Sequence, residues 1–387
     1  MSSAKRVEFS VNSSWSARQI ANEARKFAES LYRDRPEIVG MCQLVGHDVS
    51  ETAFWRLLRP DERSMLGDAP VVVVPTGEFD VQTAPAPSGD GKYIVFDLCI
   101  VVELLDFLAS LPGQHVGRWA ACVLSGARRQ ATGPRTSPAA WVQDRLRELA
   151  GHLENQEGVP YSSSMLFGFE FAVNFLLGHE MGHHALEHFS DQRIGLDGNR
   201  AQRPAGRHTA SHQMEFAADA WSLNVISRLP AFELSSWVLS IEVMFLYLHL
   251  IATFDDKRRI IEGVSVPDSD HPLLIGRSER ISRLGERVFQ AACNDGGDLP
   301  KPLFNNLQDR QTIFASLRAF ERYMPCLAEC YCGDPDRTIQ LHEAVRAGET
   351  DEAGYIAEMS AIESNLRVGS RLSAIKRTID VIRHKLF

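Results

Sequence analysis

The chain has 387 residues, a formal charge of −9 and a pI near 5.8, and its length exceeds what one hydrophobic core ordinarily fills, which predicts two packed regions. An acidic balance of this size excludes a broad electrostatic footprint for nucleic acid or anionic lipid, so the expected partners are proteins or small molecules and no nucleic acid. Seven scattered cysteines, an odd number, read as reduced thiols.

The N-terminal "MSSAKRVEFSVNSSWSARQ" lacks the apolar stretch of a secretory signal, and a cytoplasmic protein is expected. In "SARQIANEARKFAESLY" the apolar residues Ile20, Ala24, Phe27 and Leu31 recur at helical spacing. Two runs read as strands, Val71–Val74 and Lys92–Phe96, and the Pro/Gly-rich "TAPAPSGDG" (83–91) between them reads as the loop of a long hairpin. Val142, Leu146, Leu149 and Leu153 mark a further helix. The run Trp237–Phe254 approaches the length of a bilayer span, but it carries Glu242 and His249 on one helical face with no second span to pair them. It is therefore expected to be a central buried helix in which those two residues satisfy each other or nearby backbone, and no membrane span is expected. The stretch from about 300 is helical again. These elements predict an α+β fold, mainly helical, with a small β-sheet. Residues 1–299 form its principal domain and 300–387 an additional C-terminal helical region, a surface for a regulatory protein partner. Cys326, Cys330 and Cys332 offer three sulfurs with no fourth ligand at zinc-site spacing, the next histidine being His342.

The stretch "GHEMGHHALEH" concentrates the chemistry. At about 100° per residue, His183 lies roughly 40° from His179 and Glu180 roughly 100°, so the three face one cleft. His184 and His188 turn progressively away and read either as surface residues or as residues packed behind the motif histidines. His179-Glu180-Met181-Gly182-His183 is thus an HExxH motif, two imidazoles one turn apart for zinc beside a carboxylate base. Catalytic zinc wants a third protein ligand. The metzincin position, six residues after His183, is Phe189, which excludes that subclass. On a second helical stretch, "HQMEFAADAWSLNVI", Glu215 and Asp219 stand four apart on one face. Glu215 is the expected third ligand, with His212 as the other candidate. Asp219 is placed to accept a hydrogen bond from the free ring nitrogen of His179.

In these elements the chain resembles the gluzincin metallopeptidases that carry HExxH, then ExxAD, then an "HP" element, as the HtpX and CAAX-prenyl-protease group and the soluble Lit-type phage-exclusion peptidases do. Here they are "HEMGH" (179–183), "EFAAD" (215–219) and "DHPLLIGRSERI" (270–281), within an active-site core of about 160–285. Two features depart from that group: no convincing membrane span is present, and Arg277 is followed by Ser278, with Arg280-Ile281 three residues later. The resemblance implies a zincin-like catalytic core, one Zn2+ per chain, and hydrolysis of a protein or peptide substrate in a bacterial regulatory or defence setting. Glu180 would serve as general base and His271 as the donor to the developing oxyanion, with Arg277 or Tyr161 as substitutes. An edge strand of the small sheet would align an extended substrate, and the loop Ser190–Ala210 is long enough to act as a lid. A catalytically silent zincin-like binding or sensor module is the other reading.

Overall fold

A computed structural model describes residues 11–33, 52–66, 70–76, 81–111, 116–132, 137–155, 161–186, 210–229, 231–266 and 315–365, with positions 9, 277, 279–281, 283, 287 and 312 besides. His271, His188, most of the loop between the two ligand-bearing helices, and the closing helical stretch after 365 lie outside the described residues. Within them the fold is α+β and mainly helical, with one three-stranded sheet.

Helix α1 (Ala17–Leu31) begins at a capping box, in which Ser16 accepts from the Gln19 backbone at 3.3 Å and Gln19 accepts from the Ser16 backbone at 2.9 Å. Its buried face is Ala17, Ile20, Ala24 and Ala28. Short helices α2 (Ala53–Leu57) and α3 (Pro60–Leu66) precede the strands β1 (Val71–Val74), β2 (Val81–Pro85) and β3 (Lys92–Asp97). The strand order is β1-β3-β2. Alternation sorts the side chains: Val71, Val73, Ile94 and Phe96 enter the main core, while Val72, Val74 and Tyr93 meet α1 on the opposite face. This is why β1 is four valines with both faces buried.

The sheet corrects the expected hairpin. β1 pairs with β3 in parallel, Val71 opposite Ile94, and the antiparallel partner of β3 is β2, with Val81 opposite Phe96. Residues 83–85, read as loop, are therefore strand. The turn that joins β2 to β3 is Ala86–Gly91, where Gly89 and Gly91 take φ of 78° and 92°, values only glycine adopts without strain. β2 escaped detection because it lies at the edge: "VQTAP" holds one buried residue, Val81, followed by four that are exposed or half-buried, and its proline sits at the strand end where a missing N–H costs little.

Asp97 ends β3 and caps α4 (Leu98–Ser110), accepting from the backbone of Cys99 and Thr76, each at 3.0 Å. Then follow α5 (Val116–Thr132), α6 (Pro138–Asn155), α7 (Tyr161–Ala185), α8 (Ala210–Ile226) and α9 (Ala231–Ile261). α7 is apolar on nearly every side, as befits a helix enclosed by α4, α8, α9 and β2. α9 is the central buried helix expected from its sequence, with Trp237, Ile241, Phe245, Tyr247, Leu250 and Phe254 all buried. Among the described residues no helix is long and apolar enough to cross a membrane.

His249 does not meet Glu242. It faces Glu321 at 3.0 Å, because the helical residues 315–321 cross α9 on that side. The helices α10 (Met324–Gly333), α11 (Pro335–Arg346) and α12 (Glu352–Asn365) follow, and Leu317, Phe320, Met324 and Leu327 join the same apolar cluster as α4, α5 and α9. Trp119 of α5 meets the Phe320 ring edge-on at 5.6 Å. A polar clamp ties this region to the rest, where Arg346 reaches Asp106 at 3.0 Å.

Candidate metal centre and active site

Two glycines on α7 let the neighbouring elements come close. A Cβ on Gly182 would lie 3.0 Å from the Ala218 carbonyl oxygen and 3.1 Å from its Cα, and one on Gly178 would lie 2.3 Å from the Phe54 ring. α7 and α8 therefore touch backbone to backbone at Gly182, between the two motif histidines and opposite the turn of α8 that joins Glu215 to Asp219.

Across that contact two imidazole nitrogens and a carboxylate converge. His179 Nε2 lies 3.1 Å from His183 Nε2 and 3.2 Å from Glu215 Oε2, and His183 Nε2 lies 3.3 Å from Glu215 Oε1. Tetrahedral zinc with bonds of about 2.0–2.1 Å has ligand-to-ligand edges of about 3.3–3.4 Å. The two imidazole nitrogens and the Glu215 carboxylate, whose two oxygens each face one of them, lie at spacings close to those edges. Glu180 completes a group with the histidines in which one donor atom from each lies within 4.8 Å of the others. Among the described residues no cysteine belongs to such a group.

Three carboxyl groups, Glu180, Glu215 and Asp219, and one guanidinium, Arg277, surround the two imidazoles, and Glu180, Asp219 and Arg277 are buried. Two imidazoles and a carboxylate are a donor set that catalytic zinc sites use.

Asp219 orients His179. Its Oδ1 is 2.9 Å from His179 Nδ1, so that nitrogen carries a hydrogen and Nε2 faces His183 and Glu215. Arg277 grips Asp219 from the other side with two hydrogen bonds of 2.7 Å, reaches Glu215 Oε2 at 3.4 Å, and rests over the Phe245 ring at 4.7 Å. It also approaches His179 Nδ1 at 3.3 Å, a meeting of two donors and so no hydrogen bond. Burial opposes ionisation of Asp219, but the Arg277 guanidinium and His179 outweigh it and hold the carboxyl down to about 2. For His179, burial and Arg277 press downward, while the Asp219 and Glu215 carboxylates prevail and push it up to about 9. Burial raises Glu180, against the pull of both histidines.

The sequence-derived residues thus divide. His179, Glu180, His183, Glu215 and Asp219 come together. Arg277 also reaches the site, where its guanidinium meets the carboxylates of Asp219 and Glu215. Tyr161 begins α7, and its side chain and that of His212 lie outside the described residues. His184 is buried, so of its two readings the surface one falls, and burial, Lys92 and His183 press it down to about 4. Sequence reasoning missed Thr83, whose hydroxyl donates to Glu180 Oε2 at 2.9 Å from strand β2. A threonine in a Pro/Gly-rich stretch carries no signal of that role. It also missed Phe245, whose ring could not be assigned to Arg277 without the crossing of α9 under the site.

Compared with models of known protein families, with curated proteins and with solved structures, the chain matches none.

Proposed function

We propose that the chain is a zinc-dependent endopeptidase of gluzincin type that hydrolyses peptide bonds of a protein or peptide substrate in the cytoplasm. One observation carries the reading: two imidazole nitrogens and a carboxylate 3.1–3.3 Å apart, with an unliganded carboxylate beside them. His179, His183 and Glu215 would hold the ion. Zinc bound there supplies Lewis-acid polarisation of the scissile carbonyl and brings the pKa of water towards neutrality.

The chain's own residues do the rest. Glu180 is the base. Thr83 occupies its Oε2, which leaves Oε1 to accept the proton of the attacking water and return it to the departing amine. Burial raises this carboxyl, which makes it a stronger acceptor and keeps bulk water from competing. Asp219 keeps His179 in the required tautomer, and Arg277 keeps Asp219 ionised and holds both Asp219 and Glu215 in place. β2, which pairs with β3 at the sheet edge beside Glu180, offers main-chain groups to an extended substrate.

The test is metal content by mass spectrometry with cleavage of a peptide library. Wild type and Glu180→Gln are expected to hold about one zinc per chain and His179→Ala none, with cleavage by wild type alone. No metal in any of them after zinc is supplied overturns the proposal.

A further inference from the structure

Beside the C-terminal half of α9 is an open pocket of about 410 Å³, walled by Thr253 and Lys257 of α9 and by Arg318, Glu321, Arg322 and Pro325. Its charge is unusual for a protein of net charge −9. Lys257, Arg318 and Arg322 are exposed and make no hydrogen bond or ion pair among the described residues. The neighbouring cations on α9 are satisfied: Arg258 and Arg259 each reach Asp255 at 2.6 Å, and Arg258 also reaches Glu262. The one acid in the wall, Glu321, turns to His249 at 3.0 Å, with Thr253 Oγ1 3.5 Å from the same imidazole nitrogen.

Arg318 and Arg322 stand four residues apart, where like charges repel, and Lys257 faces the same space from the other wall. Three cations gathered around one concavity make a local positive potential that favours an anion. A single carboxylate would leave two of them unmatched. Two guanidinium forks and an ammonium match the oxygens of a phosphate or diphosphate. The volume exceeds that of the anion alone, and Pro325 and Thr253 leave room and a hydroxyl for what the phosphate is attached to.

We infer that this pocket binds a small phosphorylated molecule, a mono- or diphosphate ester, through Arg318, Arg322 and Lys257. The inference is independent of the metal centre and of the peptidase reading.

The experiment is isothermal titration of the full-length, chelator-treated protein with inorganic pyrophosphate and with AMP at 150 mM salt. Removing metal excludes phosphate capture at the histidine centre. Saturable binding of either probe to wild type is expected, weakened about tenfold or more in Arg318→Gln/Arg322→Gln and in Lys257→Gln, and unchanged in His179→Ala. The substituted side chains are exposed, and far-UV circular dichroism checks that each variant folds. No binding up to 10 mM of either probe, or binding that the double variant retains, overturns the inference.

Discussion

Gly182→Ala tests whether the metal centre depends on the closeness of two helices. The added methyl would meet the Ala218 carbonyl oxygen at 3.0 Å and Cα at 3.1 Å, both backbone atoms that cannot turn aside. Ordinary carbon contacts begin at about 3.5 Å, so α7 and α8 must part by about 0.5 Å. Overpacking of this kind costs about 1–3 kcal/mol, while alanine returns about 1 kcal/mol of helix propensity over glycine. The metal-free protein should therefore lose no more than about 2 kcal/mol. Zinc should suffer more, because ligand distances tolerate only about 0.2 Å and Glu215 rides on the helix that moves. An affinity loss of about tenfold or more is expected, read by competition with a fluorescent zinc chelator. Gly178→Ala is the contrasting variant: its methyl would strike the Phe54 ring at 2.3 Å and Ser222 Oγ at 2.7 Å, side chains on the flank of α7. It should cost more stability and less zinc affinity. Zinc affinity within twofold of wild type in Gly182→Ala would refute the reasoning.

In the metal-free protein a proton competes for the centre, since the carboxylates push His179 up to about 9. Zinc affinity should rise about tenfold per pH unit until pH 9 and then level, and Asp219→Asn should move that break to lower pH, as titrations from pH 6 to 10 would show. Arg277→Met leaves Asp219 and Glu215 facing each other's charge without a buried counterion and should cost about 3–5 kcal/mol by urea denaturation, whereas Arg277→Lys, which keeps the charge and loses the fork, should cost less. Thr83→Val frees Glu180 Oε2; peptide cleavage should fall while zinc content stays at wild-type level by mass spectrometry. Glu62 is held down to about 2, first by its hydrogen bonds from Arg228, both at 2.5 Å. A depressed carboxyl stabilises above its unfolded value near 4.5 and loses that contribution as pH falls towards 2. About 2–3 kcal/mol should therefore disappear across that window, and Arg228→Met should flatten the slope in pH-dependent urea melts.

Much of the candidate site was legible because it is local. Helical geometry alone aims His179, Glu180 and His183 at one cleft, and the i, i+4 spacing of Glu215 and Asp219 puts two carboxylates on one face of a second helix; both relations follow from 3.6 residues per turn and hold wherever the helices go. The mainly helical fold with a small sheet was legible for the same reason, through the apolar period of α1 and the unbroken runs of β1 and β3. What pairs with what was not. β1 and β3 have the same composition in a parallel or an antiparallel ladder, so their alternation could not tell a hairpin from a sheet with β2 inserted at its edge. His249 and Glu242 share a helical face, but the partner of His249 came from residues 315–321, more than sixty positions away. The same holds for Arg277, Thr83 and Phe245 at the metal centre and for the cations of the anion pocket: their roles are set by which helices touch, and the Gly182–Ala218 contact shows that touch to be decided by backbone packing in three dimensions, a property of the assembled core that no local period encodes.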